Sequence, residues 1–284
     1  MNGIAVVDKP AGMTSHDVVA RLRRLYNTRR VGHSGTLDPL ATGVLPVFVG
    51  RATRACEFAL CDDKAYRARL RLGIETDTQD ITGEVLGERT VDATLRDVEA
   101  VCAKFVGKIM QMPPMYSAIK VGGVPLYKLA RIGKEVERAP REIIISKIDV
   151  AHVGGDEYDL TVECGKGTYI RTLCSDIGRE LRCGATMTEL RRLRAGIFDI
   201  SAAKTLSELE KSPRLLPVDF MFEGYRRAEI DSYGEKKCRN GAPVEYDAVS
   251  GELYRVYSKS GEFLMLARGD EKGNLVTVKS FFEV

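Results

Sequence analysis

Long apolar runs are missing from this sequence: no stretch approaches the ~18 uninterrupted apolar residues of a membrane-spanning helix. Asp8 and Lys9 interrupt the N-terminal apolar run too early for the core of a signal peptide. The seven cysteines are an odd number without a CxxC pair, which fits reduced thiols better than a disulfide framework. Cys56 and Cys61, in the stretch RATRACEFALCD, read as core packing. The three histidines, 16, 33 and 152, stand alone, without the spacing that zinc ligands need. Neither GxxxxGK[ST] nor GxGxxG occurs, so no nucleotide-binding loop is signalled. Net charge is small as well: +3, with 44% hydrophobic residues, excludes disorder over most of the chain. A soluble, unexported, cytoplasmic protein is expected, with one large domain or a large and a small one.

Charge is more telling in its distribution. RLRRLYNTRR (21–30) packs five arginines into ten residues. From Tyr225 onward ten Lys/Arg balance ten Asp/Glu, so the whole net +3 belongs to residues 1–224. A basic helix beside a loop suits a phosphate-facing surface, although charge alone fits a solvated helix face better.

Local patterns give the order of elements. GIAVVDKP (3–10) reads as an apolar strand ended by Lys9-Pro10. Ser15 is expected to cap a helix over about 16–26, with Val18, Val19, Leu22 and Leu25 at helical spacing. A glycine-punctuated loop (28–43) leads to a strand (43–50) and a helix (51–61). KAYRARLRLG (64–73) alternates as a half-buried strand does. A polar stretch, TDTQDITGEV, precedes a helix near 94–107, then a hairpin and a short helix within 113–134. Strands at 142–153 and 158–164 join through a Gly-Gly turn. A helix capped by Thr168 runs to about Leu181, before a strand near 189–198. Beyond 225, short strands separated by NG, SG, SG and GN predict a small all-β unit. Single and paired strands among helices place the chain in the α+β class with a mixed sheet.

Three segments carry possible chemistry. In GHSGTLDPLATGVLP (32–46), Asp38 stands alone in a rigid loop, with no acid between Asp17 and Glu57. One fixed carboxylate suits a nucleophile or an electrostatic stabiliser; paired acid–base work needs two. Asp-Pro also makes an ordinary turn. In GKGTYIRTL (165–173), Thr168 would place Tyr169 and Arg171 in a first helical turn. There the arginine is able to keep a carboxylate ionised in a dry pocket, or form a plain surface ion pair. Tyr66, an aromatic among basic residues, suits stacking on a nucleobase as well as core packing. Each segment alone favours its plainer reading; their order together decides otherwise.

DKPAGMTS, GHSGTLDPLATGVLP, KAYRARLRLG, PPMYSAIKVGGVPLYKLAR and CGKGTYIRTLCSDIGRELRCGA, in that order, resemble the bacterial tRNA pseudouridine synthases of the TruB type. These convert uridine 55 of the tRNA T loop. The five blocks cover about residues 3–200, with RNGAPV (239–244) a looser match to the family's C-terminal region. The resemblance implies a pseudouridine synthase core over 1–224, with a bent, mixed, largely antiparallel sheet flanked by helices. It further implies a small β-rich, PUA-like RNA-contact domain over 225–284. Asp38 matches the catalytic aspartate. Tyr66 matches the tyrosine that stacks on the target base and helps remove its C5 proton, and Arg171 the arginine paired with the aspartate. Tyr169 lines the pocket, Leu190 touches the uracil face and His33 fills the space left by the extruded base. Lys9, counted with the substrate-binding set, acts as structural support. Arg21, Arg24, Arg29, Arg30, Arg191 and Arg192, with Arg194, are the candidates for RNA backbone contact. No cofactor and no metal are expected.

The chemistry agrees. Moving uracil from an N1 to a C5 attachment breaks one glycosidic bond, turns the base and releases the C5 proton, without net redox or energy input. An unperturbed aspartate, pKa ~3.9, is ionised about a thousand to one at pH 7. Extruding a base costs a few kcal/mol, which stacking worth ~1–3 kcal/mol partly offsets. The first expectation is therefore a stand-alone tRNA isomerase, monomeric and without a guide RNA. A tRNA-binding fold chaperone with secondary catalysis is the alternative of a different class. A subunit directed by a separate RNA is the third, weakened by the lack of a long basic extension.

Overall fold

The computed structural model describes residues 1–59 and 63–282. The chain begins with β1 (Gly3–Lys9), α1 (Ser15–Leu25), β2 (Val31–His33) and β3 (Thr42–Val49). A 3-10 turn over Gly50–Ala55 runs into the four-residue α2 (Cys56–Ala59) where one helix over 51–61 is expected. The end of that expected helix and Cys61 lie outside the described residues; Cys56 is half-buried against the core. β4 (Lys64–Leu72), β5 (Ile74–Thr76), β6 (Val85–Glu88), α3 (Leu95–Lys104) and β7 (Gly107–Gln111) follow. The expected hairpin and short helix within 113–134 are β8 (Lys120–Val121), β9 (Val124–Pro125) and α4 (Leu126–Ala130). Next come β10 (Arg141–Gly154), β11 (Glu157–Cys164), α5 (Ile170–Glu180), β12 (Ala185–Ala195), β13 (Phe198–Asp199) and α6 (Leu206–Lys211). β14 (Arg226–Ile230), α7 (Ser232–Arg239), β15 (Val244–Glu245), β16 (Leu253–Ser258), β17 (Phe263–Gly269) and β18 (Asn274–Ser280) complete it.

Among the described residues, nine strands form one sheet in the order β1-β3-β12-β4-β11-β10-β7, with β2 beside β3 and β13 beside β12. All its pairs are antiparallel except β12 with β3, where Arg191 and Arg192 face Thr42 and Gly43. Gly43 is required there, since a Cβ on it would collide with the Arg192 backbone, and its φ of 100° disfavours other residues. Five strands form a second sheet, β14-β16-β17-β18-β15. The fold is thus α+β with a mixed, largely antiparallel main sheet.

The burial of β1 and β3 explains why they read as unbroken apolar runs. Strand side chains alternate between faces, so a strand covered on both sides is apolar throughout. Ala5, Val7, Leu45, Val47 and Val49 join a core with Val18, Val19 and Leu22 of α1 and Leu173, Cys174 and Ile177 of α5. Ile4, Val6, Val44 and Phe48 face the other way, toward Phe222, Leu266 and Phe281. The second sheet therefore closes the back of the first, and Phe222 touches the rings of Phe58, Phe263 and Phe281 at 5.4, 6.1 and 5.9 Å. Among the described residues no helix is long and apolar enough to cross a membrane.

Two helix starts differ from expectation. Thr14, not Ser15, caps α1 through a capping box: its Oγ1 accepts from the Asp17 N–H at 3.1 Å, and its own N–H donates to Asp17 at 2.8 Å. Thr168 does not cap α5. Its hydroxyl donates back to the Gly165 carbonyl at 3.2 Å, and Tyr169 takes the cap position without a side-chain bond. Gln111 of β7 supplies the missing partners, accepting from the Tyr169 N–H at 2.8 Å and donating to its carbonyl at 3.0 Å.

Candidate active site

The loop from β2 to β3 carries Asp38, and β1 with α1 pins its backbone on both sides. Ser15 is buried, and its hydroxyl accepts from the Leu37 N–H at 2.9 Å while donating to the Leu37 carbonyl at 3.2 Å. Lys9 is fully buried, with Nζ donating to the carbonyls of Pro10, Met13 and Pro39 at 2.8, 2.6 and 3.3 Å. Gly12 donates its N–H to the Pro39 carbonyl at 2.9 Å, and Ala41 donates to that of Asp38 at 3.0 Å. Asp38 thus sits between two clamped neighbours. Burial pushes the Lys9 ammonium down to about 8, against the pull of Asp38.

Arg171, the second residue of α5, brings its Nε within 2.8 Å of Asp38 Oδ2. Its side chain is 5% exposed while that of Asp38 is 37% exposed, so the carboxylate is the member open to a ligand. The other guanidinium nitrogens are engaged too. Nη1 donates to the Thr78 carbonyl at 3.1 Å and lies 3.8 Å from Asp80 Oδ2; Nη2 donates to the Tyr116 carbonyl at 2.8 Å. Three segments distant in sequence therefore fix one cation. Burial raises the Asp38 pKa above the ordinary carboxylate value; Arg171 opposes this, Asp80 adds to it and Lys9 opposes it.

Tyr66 and Leu190 stand on adjacent strands, Tyr66 opposite Arg192 and Leu190 opposite Ala68, in the same core layer. They are diagonal neighbours on one face, within reach of a shared planar ligand. Burial raises the Tyr66 phenol above its usual value, so the ring presents a neutral face. Tyr169, half-buried, has its phenol raised by burial as well, and the Asp38 charge acts on both hydroxyls. His33, at the end of β2, meets the His16 ring edge-on at 5.7 Å. Burial lowers the His33 pKa, and its Nδ1 is buried without a hydrogen-bond partner among the described residues.

The arginines divide sharply. Arg192 is a correction: it is buried, with its guanidinium donating to the Val44 and Gly35 carbonyls at 2.6 and 3.2 Å beneath the site. It braces the β3 edge and the Asp38 loop and is not on a phosphate-facing surface. Arg191 pairs with Asp8 at 2.7 Å, Arg194 with Glu163 at 3.0 Å and Arg21 with Glu210 at 2.7 Å. Arg24, Arg29 and Arg30 are exposed, with no ion pair among the described residues.

Sequence reasoning missed Asp80, buried in the turn after β5, where Thr78 and the Thr82 N–H each donate to it at 3.0 Å. It also missed Ser15 and Gln111 as braces and Tyr116 as an acceptor for Arg171. The DTQD pattern of alternating acid and hydroxyl residues was the available signal for Asp80; it reads equally as a solvated loop.

Comparison with known proteins gives the family of the chain. The N-terminal domain of the TruB family pseudouridylate synthases matches residues 23–170, and the tRNA pseudouridylate synthase B C-terminal domain matches 171–219. The second match contains β12 of the main sheet and all of α5 but its first residue. The tRNA pseudouridine synthase B of Syntrophotalea carbinolica is 48% identical over 262 residues, covering 89% of this chain and 85% of the relative. That of Stutzerimonas stutzeri is 41% identical over 286 residues, covering 97% and 94%. Among solved structures, a chain of a Cbf5-Nop10-Gar1 complex superposes with TM-score 0.72 at 26% identity, covering 99% of this chain and 85% of that one. A chain of an H/ACA RNP bound to a substrate RNA containing 2'-deoxyuridine gives 0.72 at 25% identity, with the same coverage. With its aspartate–arginine site on this sheet, the chain belongs to the TruB family of pseudouridylate synthases and is an isomerase.

Proposed function

We propose that the protein converts uridine 55 in the T stem-loop of tRNA to pseudouridine, with Asp38 as the nucleophile, and that it acts in the cytoplasm as a monomer. The observation that carries this reading is the 2.8 Å pair between the open Asp38 carboxylate and the buried Arg171 guanidinium, which backbone carbonyls of two further segments, Thr78 and Tyr116, hold in place. The tRNA pseudouridine synthase B relatives support tRNA as the substrate, and the RNA-bound neighbour supports an RNA-facing cleft.

In this reading the target uridine leaves the T-loop stack and enters beside Asp38. Tyr66 stacks on the uracil and assists loss of the C5 proton, and Leu190 covers its apolar face. Asp38 attacks C6 of the base or C1′ of the ribose; either route breaks the N1–C1′ bond, turns the base and forms the C5–C1′ bond. Arg171 keeps the carboxylate ionised against desolvation. His33 fills the vacated place in the loop, Tyr169 lines the pocket and Lys9 supports the catalytic loop. Arg24, Arg29 and Arg30 carry the RNA backbone contact. Residues 1–224 form the catalytic domain, and 225–284 a PUA-like unit that contacts RNA.

Tritium release from a tRNA transcript labelled at uracil C5 tests the reading, with wild type beside Asp38→Asn. Release by wild type alone, with tRNA still bound by both, is the expected result. Turnover by the variant sinks the role of Asp38, and release that persists from a transcript lacking uridine 55 sinks the assignment of the position.

A further inference from the structure

Gln79 adopts left-handed backbone (φ 64°), as do Asn27 and Arg182. Asn27 and Arg182 lie just beyond the C-termini of α1 and α5, where that conformation commonly ends a helix. Gln79 ends no helix. It lies in the turn between β5 and β6, and a side chain with a Cβ takes that conformation at a steric cost. Something must hold it there.

Three bonds do so. The Gln79 Oε1 accepts from the Thr172 hydroxyl at 2.8 Å, its carbonyl accepts from the Met187 N–H at 3.2 Å, and its N–H donates to the Thr76 carbonyl at 3.2 Å. Its two neighbours both face Arg171: the Thr78 carbonyl accepts from Nη1 at 3.1 Å, and Asp80 Oδ2 lies 3.8 Å from the same nitrogen. Thr172 follows Arg171 directly in α5. Turn and helix are therefore joined by two adjacent rungs, Thr78–Arg171 and Gln79–Thr172.

We infer that the Thr172–Gln79 hydrogen bond makes both residues positioning residues: it holds the 76–82 turn against α5, so that the guanidinium is fixed where it meets Asp38. The inference rests on the reading of Asp38 and Arg171 as the reacting pair. Without the Thr172 hydroxyl, the turn keeps its anchors to β5 and β12 and loses one of its two rungs to α5, leaving Thr78–Arg171 alone. The Thr78 carbonyl then no longer sets the height of the guanidinium. Neither Gln79 nor Thr172 touches the substrate in this scheme, so the loss falls on turnover and spares tRNA binding.

Single-turnover tritium release with Thr172→Val, Thr172→Ser and Gln79→Gly tests this. Thr172→Val keeps the shape and removes the donor; Gln79→Gly keeps left-handed backbone and removes the amide. Each is expected to slow the chemical step on the order of tenfold to a hundredfold with KM for tRNA within about twofold. Thr172→Ser restores the rate, and the double variant is no slower than Thr172→Val alone, because both remove the same bond. A wild-type rate for either single variant overturns the inference, as does a loss that follows the unfolded fraction by circular dichroism. Should Thr172→Val not fold, Gln79→Gly and the serine variant decide it. Asp38→Asn run alongside separates the two levels: activity there overturns the active-site reading, whereas an inactive Asp38→Asn beside a normal Thr172→Val overturns this inference alone.

Discussion

Ser15 holds Leu37 by both of its backbone groups across 22 residues of sequence, accepting from its N–H at 2.9 Å and donating to its carbonyl at 3.2 Å. One hydroxyl at the start of a helix thereby fixes the residue that precedes Asp38. Replacing it by alanine leaves a buried N–H and a buried carbonyl unpaired, which costs roughly 1–3 kcal/mol per unsatisfied group. Ser15→Ala is expected to lower the denaturant midpoint and to slow turnover while tRNA affinity holds. Thr14→Ala, which removes only the helix cap, costs about 1 kcal/mol and leaves turnover intact. Equal turnover in the two variants would contradict the role given to Ser15.

The acid limb of activity follows from Asp38. Its folded-state pKa lies above the ordinary 3.8 because burial outweighs the pull of Arg171. In the proposed mechanism Asp38 must be ionised to attack, so turnover is expected to fall as pH drops through that raised value, earlier than for an unperturbed carboxylate. For stability the sign is opposite: between 3.8 and the raised value the native state holds the extra proton, so Asp38 contributes less stability as pH rises through that window. A rate profile whose acid limb sits at or below the ordinary value would refute the desolvated pocket.

Lys9 tests the other flank of the loop. Lys9→Met removes a fully buried cation with three carbonyl acceptors, each such bond to a charged group being worth about 1.5–3 kcal/mol. Relief of burying the charge offsets part of this, since burial has lowered the ammonium to about 8. Between 8 and its ordinary 10.5 the unfolded state binds more protons, so the wild-type contribution to stability rises with pH there. Thermal melts of Lys9→Met are expected to lie below wild type at pH 7 and to lack this rise. Coincident pH–stability curves would disprove it.

RNA affinity provides a fourth check. Each phosphate contact by a cation contributes ~0.7–0.9 to the slope of log K against log salt. Neutralising Arg24, Arg29 and Arg30 together is expected to flatten that slope by about 2 to 3 units. An unchanged slope would place the RNA footprint elsewhere on the chain.

At the back of the main sheet, Phe222→Ala removes a ring buried among Phe58, Phe263 and Phe281, with an expected cost of about 3–5 kcal/mol. Unfolding of both sheets together in a calorimeter is the corresponding outcome; a separate early transition of residues 226–280 would show that they do not share this core.

Much of the fold is legible because local pattern carries it. Alternation marks β4, unbroken apolar runs mark β1 and β3, and helical spacing marks α1. The two misplaced caps have one cause: at both helix starts a neighbouring residue competes, and a partner distant in sequence decides. Ser15 turns to Leu37, and Gln111 serves the start of α5. From sequence Arg192 reads as surface charge because arginine is seldom buried, and only the parallel pairing of β12 with β3 brings the Val44 carbonyl under it.

By itself the sequence determined the α+β class and most of the element order, and its resemblance to one family points to Asp38, Arg171, Tyr66 and Leu190 as the candidate site. Tertiary structure decided what holds them. Asp80, Thr78, Tyr116, Ser15, Lys9 and Gln79 act through hydrogen bonds or charges that reach across tens of residues, and such contacts leave no periodicity along the chain. A propensity is a sum over neighbours in sequence; the placement of a buried guanidinium is a sum over neighbours in space.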